Sequence, residues 1–122
     1  MILQEGNIAL GRRDYKAAEA DAREVLAMGG PRATDAQYLL ARANYGKGDF
    51  SAAAVAYDDT YNRSRTGVHA QDALYGLASS LNRINEKKAA CQTLAKLAAE
   101  FPNLRPTLRA PVATVHREAG CH

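Results

Sequence analysis

The stretch from Leu40 to Tyr57, LARANYGKGDFSAAAVAY, leaves the chain few choices. Its apolar residues recur at helical spacing up to Tyr45, a Gly-Lys-Gly-Asp break follows, and a second helical pattern runs from Phe50 through Ala53 to Tyr57. That is two helices joined by a turn about as tight as a helix pair allows. Gly46 and Gly48 are expected to take the left-handed conformation that ends the first helix, and Asp49 to cap the second. Ala52, Ala53 and Ala54 put small side chains on the second helix, so the two backbones approach closely, with Tyr38, Leu40 and Phe50 filling space around them.

The punctuation occurs twice more. Upstream, Gly11 to Ala20 (GRRDYKAAEA) carries an Arg-Asp-Tyr-x-x-Ala version; downstream, Asn82 to Cys91 (NRINEKKAAC) carries a weaker Asn-Glu-Lys-x-x-Ala version. Aligned on Ala18, Ala53 and Ala90, the periods are 35 and 37 residues. A tetratricopeptide repeat, the helix-turn-helix unit that stacks into α-solenoids, is about 34 residues long. The middle unit resembles one through Leu40-Ala41, Tyr45, Gly48-Asp49-Phe50, Ala53 and Tyr57; the third keeps Leu74, Leu77-Ala78, Leu81, Ala90, Leu94 and Pro102. The first is truncated, its leading helix beginning only near Ile2. The expected fold is therefore all-α: a tetratricopeptide-type α-solenoid of about three helix-turn-helix repeats plus a C-terminal capping helix.

A narrower likeness covers Tyr38 to Cys121. With its connection at Ser64-Arg65-Thr66-Gly67, then Glu86 to Cys91, Phe101-Pro102-Asn103 and a terminal Ala119-Gly120-Cys121, the run resembles the C-terminal domain of the Tol-Pal-associated cell division coordinator CpoB/YbgF family. That resemblance implies a periplasmic interaction module that binds the energy-transducing protein TolA. It further implies a part in coordinating outer-membrane constriction with septal peptidoglycan synthesis by a bifunctional penicillin-binding protein. It also implies a fragment, because full proteins of that family carry a signal peptide, a trimerising coiled coil and a polar linker before this domain. The alternative within the same class is a scaffold of a pilus or outer-membrane lipoprotein assembly factor, which a lipobox Cys in the full-length gene would favour.

A chain of 122 residues suits one domain with one core, and the lack of Trp beside many Ala residues suits close-packed helices better than a sheet. The units are expected at about 1–30, 33–66 and 70–102, with the cap at about 105–119. Helices are expected over Ile2–Leu10, Tyr15–Met28 with Asp14 as N-cap, Thr34 or Asp35 to Tyr45, Ser51–Asn62, Gln71–Ile84, Lys87–Glu100 and Thr107–Ala119. The polar run Arg63–Gly67 explains the 37-residue period. Pro106 suits the first turn of the seventh helix, but Pro111 lies deeper, so a late start or a kink is expected there. No apolar run of 18 residues exists, and the opening MILQEGNIALGRRD does not read as a secretory signal.

The net charge of +3 is unevenly placed: Met1–Thr60 holds 7 basic and 9 acidic residues, Tyr61–His122 holds 9 and 4. The basic half reads either as a solvated helix surface with an Arg-rich bias or as an attraction for an acidic partner. Its Arg and Lys residues are scattered without aromatic interleaving, which argues against nucleic acid. Nothing forms a phosphate loop, a nucleophile elbow or a standard zinc spacing, so neither an enzyme nor a cofactor is expected. His116, Cys121 and His122 cluster at the end of the chain without matching a structural metal site, and His69 reads as a surface or capping residue.

Two features remain. Cys91 and Cys121 are either two unrelated thiols or a bridge; the family resemblance, through its periplasmic location, implies the bridge. Closing that loop of about 30 residues would contribute roughly 3–4 kcal/mol in the chain-entropy account. The other feature is a surface. The first helix of each pair in such a solenoid lines a concave groove, and the i, i+4, i+7 stripe gives Leu3, Asn7 and Leu10, then Tyr38, Arg42 and Tyr45, then Tyr75, Ser79 and Asn82. Tyr and Arg are enriched at binding hot spots. Tyr45 and Tyr75 read equally well as packing residues. The first pair has no neighbour to bury its apolar end, so self-association through Ile2 to Val25 is expected as a by-product.

Overall fold

The computed structural model describes residues 1–122, and every element is a helix: α1 (Ile2–Gly11), α2 (Tyr15–Met28), α3 (Ala33–Lys47), α4 (Phe50–Arg63), α5 (Ala70–Arg83), α6 (Lys87–Glu100) and α7 (Pro106–Glu118). Each packs on the next from α1 to α6, and α1, α3, α5 and α7 also touch one another in series. The odd helices form one layer and the even helices the other. The layer whose members touch is the more tightly spaced, so its free side is concave.

Local chemistry sets the joints. Arg13, Gly48 and Asn85 have positive φ (62°, 83° and 65°), and each is followed by the residue that starts the next helix: Asp14, Asp49 and Glu86. The amides of these three followers donate to Ala9, Asn44 and Leu81 carbonyls at 2.8–2.9 Å, the six-residue closure of a Schellman motif. Asp14 and Asp49 then cap α2 and α4 by accepting from the Ala17 and Ala52 amides at 3.3 Å. Glu86 makes no such bond. α7 ends the same way, at Gly120 (φ 71°) with the Cys121 amide donating to His116. The four left-handed residues fall 35, 37 and 35 apart, so α7 stands in register with α1, α3 and α5 as the first helix of a further unit. The extra two residues of the middle period sit in the Ser64–His69 connection, as expected.

Several expectations need correction. Gly46 is not left-handed; it lies inside α3, and a Cβ there would come within 2.2 Å of the Tyr15 ring. Its lack of a side chain seats Tyr15. Gly76 does the same for Tyr57, with 2.4 Å to the ring. Neither Thr34 nor Asp35 caps α3, which starts at Ala33 without a side-chain cap. Pro111 neither delays nor ends α7, which runs from Pro106.

The core is built of small residues around a few large ones. Ala18, Ala22, Ala36, Ala41, Ala43, Ala53, Ala73 and Ala78 are fully buried, and Leu39, Leu74, Leu97 and Tyr61 supply bulk. Tyr61 donates to the Glu100 carboxylate, and burial, then that bond, pushes its hydroxyl pKa up. At the N-terminal end a cavity of about 350 Å³ lined by Met1, Ile2, Leu3, Val25 and Met28 is the apolar end of the first pair.

Candidate functional site: the concave face

Aligning the helices on their left-handed residues turns the predicted stripe into three rows across the concave face. Leu10, Tyr45, Asn82 and Arg117 form one; Asn7, Arg42, Ser79 and Thr114 the next; Leu3, Tyr38, Tyr75 and Ala110 the third. Polar contacts join successive odd helices, one along a row and two between neighbouring positions. Arg42 Nη1 donates to Asn7 Oδ1 at 3.5 Å, the Tyr45 and Ser79 hydroxyls are 2.7 Å apart, and Asn82 Nδ2 donates to Glu118 at 3.2 Å.

The exposed part of the groove centres on Tyr38. The Arg42 guanidinium lies 4.9 Å from its ring centroid, a cation–π distance, and the His69 ring stacks on it at 4.3 Å. His69 is held from below by Asp35 at 2.7 Å. Burial, followed by the nearby Asp72 carboxylate, raises the Tyr38 hydroxyl pKa; burial does the same at Tyr75 and more strongly at Tyr57, 6.3 Å from Tyr38. These phenols stay neutral at physiological pH; Tyr57 is buried, while Tyr38 and Tyr75 are half-buried on the concave face. Arg42 pairs with no carboxylate, whereas Arg105 at the groove's margin is held by both oxygens of Asp72 at 2.8 and 3.0 Å.

Not every predicted groove residue is free to touch a ligand. Leu3 belongs to the core, buried in the same cluster as Leu39, which α1 approaches closely at Gly6, one turn on. Ser79 and Asn82 are buried, and Asn82 is engaged by Glu118 and by Lys87 at 2.5 Å, so they make the floor. Tyr45 is half-buried, edge-on to Phe50 at 4.9 Å. Tyr75 is half-buried and Asn7 exposed. His69, expected as a surface or capping residue, stands at the N-cap position of α5 without a side-chain cap bond, and reaches the groove from the start of the following repeat. The signal was the Asp35/Asp72 pair at matching register, each bound to a basic residue that opens the next odd helix.

Cys91, in the first turns of α6, is disulfide-bonded to Cys121, just past α7, with Cα atoms 5.4 Å apart. The bridge removes Cys121 from any set with His116 and His122. No group of three or more His, Cys, Asp or Glu side chains is placed to hold a metal ion.

A stack of helix pairs, joined by Schellman turns at a period of 35 to 37 residues and presenting a concave face, defines an α-solenoid of the repeat-scaffold class. The family model described as Tetratricopeptide repeat matches residues 3–67, and a second of the same description matches residues 72–104. The first spans more than half of the chain, which belongs to the tetratricopeptide repeat family. No curated protein matches it. Repeats of this family are protein–protein interaction modules.

Proposed function

We propose that the domain is a non-catalytic interaction module that holds a segment of a partner protein against its concave face. The observation that carries this reading is Arg42, a half-buried guanidinium without a carboxylate, placed on Tyr38 amid half-exposed phenols. Such a site offers a partner large aromatic area together with one unspent charge. The Cys91–Cys121 bridge supports an oxidising compartment, because disulfides are rare where thiols are kept reduced. The likeness to the CpoB/YbgF family supports a periplasmic place in the Tol-Pal system, a TolA-like protein and a septal penicillin-binding protein as partners, and a role in cell division.

Calorimetric titration with the periplasmic region of TolA from the same organism tests both levels. Binding in the micromolar range, weakened about 10- to 100-fold by Tyr38→Ala/Arg42→Ala, is the expected outcome at about 1–3 kcal/mol for hot-spot truncation. Binding unaffected by the double variant would move the site off the concave face. Absence of binding would remove the Tol-Pal assignment and leave the interaction module without this partner.

A further inference from the structure

The far end of the solenoid carries a surface whose counterpart is covered inside the same molecule. The repeat register places residues of α6 and α7 72 positions after their counterparts in α2 and α3. On α3, Gln37, Leu40 and Asn44 are 6%, 7% and 3% exposed, and the cavity they share with Arg23 of α2 is walled by Ala52, Ala56 and Asp59 of α4. Their counterparts on α7 are Arg109, Val112 and His116, facing Ala95 of α6. No helix of the chain lies over them: Arg109, His116 and Ala95 are exposed and Val112 is only half-buried. Ala95, Val112 and His116 line a groove of about 320 Å³ between α6 and α7, floored by Leu94 and Ala98 and flanked by Cys91 and Cys121; Arg109 stands one helical turn before Val112 on α7, beyond that lining. A smaller hollow of about 130 Å³ shares those floor residues and extends the groove toward Phe101.

We propose that this groove docks a helix of a separate partner protein, with small residues on the face laid against α7 and an acidic residue near its C-terminal end. The template is α4 on α3. There, Ala53 and Ala56 of α4 are buried and small enough for close helix approach, and Asp59 borders the cavity together with Gln37. The counterpart of Gln37 is Arg109, which pairs with no carboxylate, so an acid in the position of Asp59 meets a free guanidinium. The surrounding half of the chain holds 9 basic residues against 4 acidic ones, which favours the same sign of partner. The α4 of a second copy does not supply the helix, because it is held between its own α3 and α5; concentration-dependent sedimentation of the protein alone, abolished by Val112→Asp, would instead seat the exposed α1–α2 end of a second copy here and overturn the proposal.

The probe is a fluorescein-labelled, acetylated and amidated peptide of residues 50–63, titrated against the oxidised full chain by anisotropy. Saturable binding is expected, weakened at least tenfold by Val112→Asp and by Arg109→Glu in the protein. A peptide carrying Asp58→Lys/Asp59→Lys should bind the parent at least tenfold more weakly and regain affinity for Arg109→Glu. Tyr38→Ala/Arg42→Ala should bind the parent peptide unchanged, which separates this groove from the concave face. Arg109 is exposed, so its variant reports on docking even where Val112→Asp unfolds α7. Absence of saturable binding would overturn the proposal. So would binding that survives Arg109→Glu, which would place the peptide elsewhere, or binding lost with the Tyr38/Arg42 variant.

Discussion

At the residue scale, the joint positions show how unequal side chains fill one backbone role. Gly48 takes its left-handed conformation without penalty, Asn85 at modest cost, and Arg13 with the full Cβ clash against its own carbonyl. Arg13→Gly should therefore stabilise the domain by about 0.5–1 kcal/mol, read as a raised denaturation midpoint, with Asn85→Gly gaining less. A midpoint that falls would show that the Arg13 side chain contributes a contact outweighing its backbone cost. The two ring-seating glycines differ in the opposite sense. Tyr57 is buried and has nowhere to move, whereas Tyr15 is half-buried at the edge. Gly76→Ala should cost about 1–3 kcal/mol by overpacking and Gly46→Ala less, measured by the same titration.

At the scale of elements, α7 is the informative case. It rests on α5 with Leu108 and Val115 buried, touches α6 less, and is tied to α6 by the disulfide. Cys91→Ser/Cys121→Ser should cost up to about 3–4 kcal/mol, with amide protection lost in α7 first and retained in α3 and α4. Protection lost evenly across all seven helices would mean that α7 is integral to the core.

Much of this element pattern was legible beforehand. Asp14, Asp49 and the alanines that follow them mark the turns and the period directly, because capping and close packing are local demands. Gly46 was misread because a glycine near a helix end signals a stop in sequence, while the ring that needs its space comes from α2, 31 residues earlier. The start of α3 was misplaced because Asp35 and Thr34 are good caps in isolation, yet Asp35 is drawn to His69 across the repeat boundary. The stripe on the odd helices followed from spacing, but which of its members are floor and which are free depends on partners such as Glu118 and Lys87. No single helix specifies those. The in-register placement of α7 was visible only as Gly120-Cys121, since Pro111 and the missing Asp disguise the unit.

At the scale of the whole molecule, contacts run only between adjacent and next-but-one helices, so stability is distributed as in a one-dimensional stack. The two ends are not equivalent. The α1 end exposes Met1, Ile8 and Met28 and has no covalent tie, while the α7 end is bridged. Native-state hydrogen exchange should accordingly show α1 opening at the lowest free energy and α3 to α5 at the highest, with α7 between them under oxidising conditions. Equal protection in α1 and α4 would indicate that the N-terminal cavity is covered, as self-association would do, and sedimentation at increasing concentration would show it.

The bridge also decides how this molecule carries load. A tension applied beyond His122 does not peel α7 away, since the covalent path leaves the backbone at Cys121 and re-enters it at Cys91. The force arrives at the start of α6, and the 30 residues spanned by the link stay closed as a slack loop that contributes no length. Stretched from its termini, the oxidised chain should fall short of the reduced one by about 100 Å.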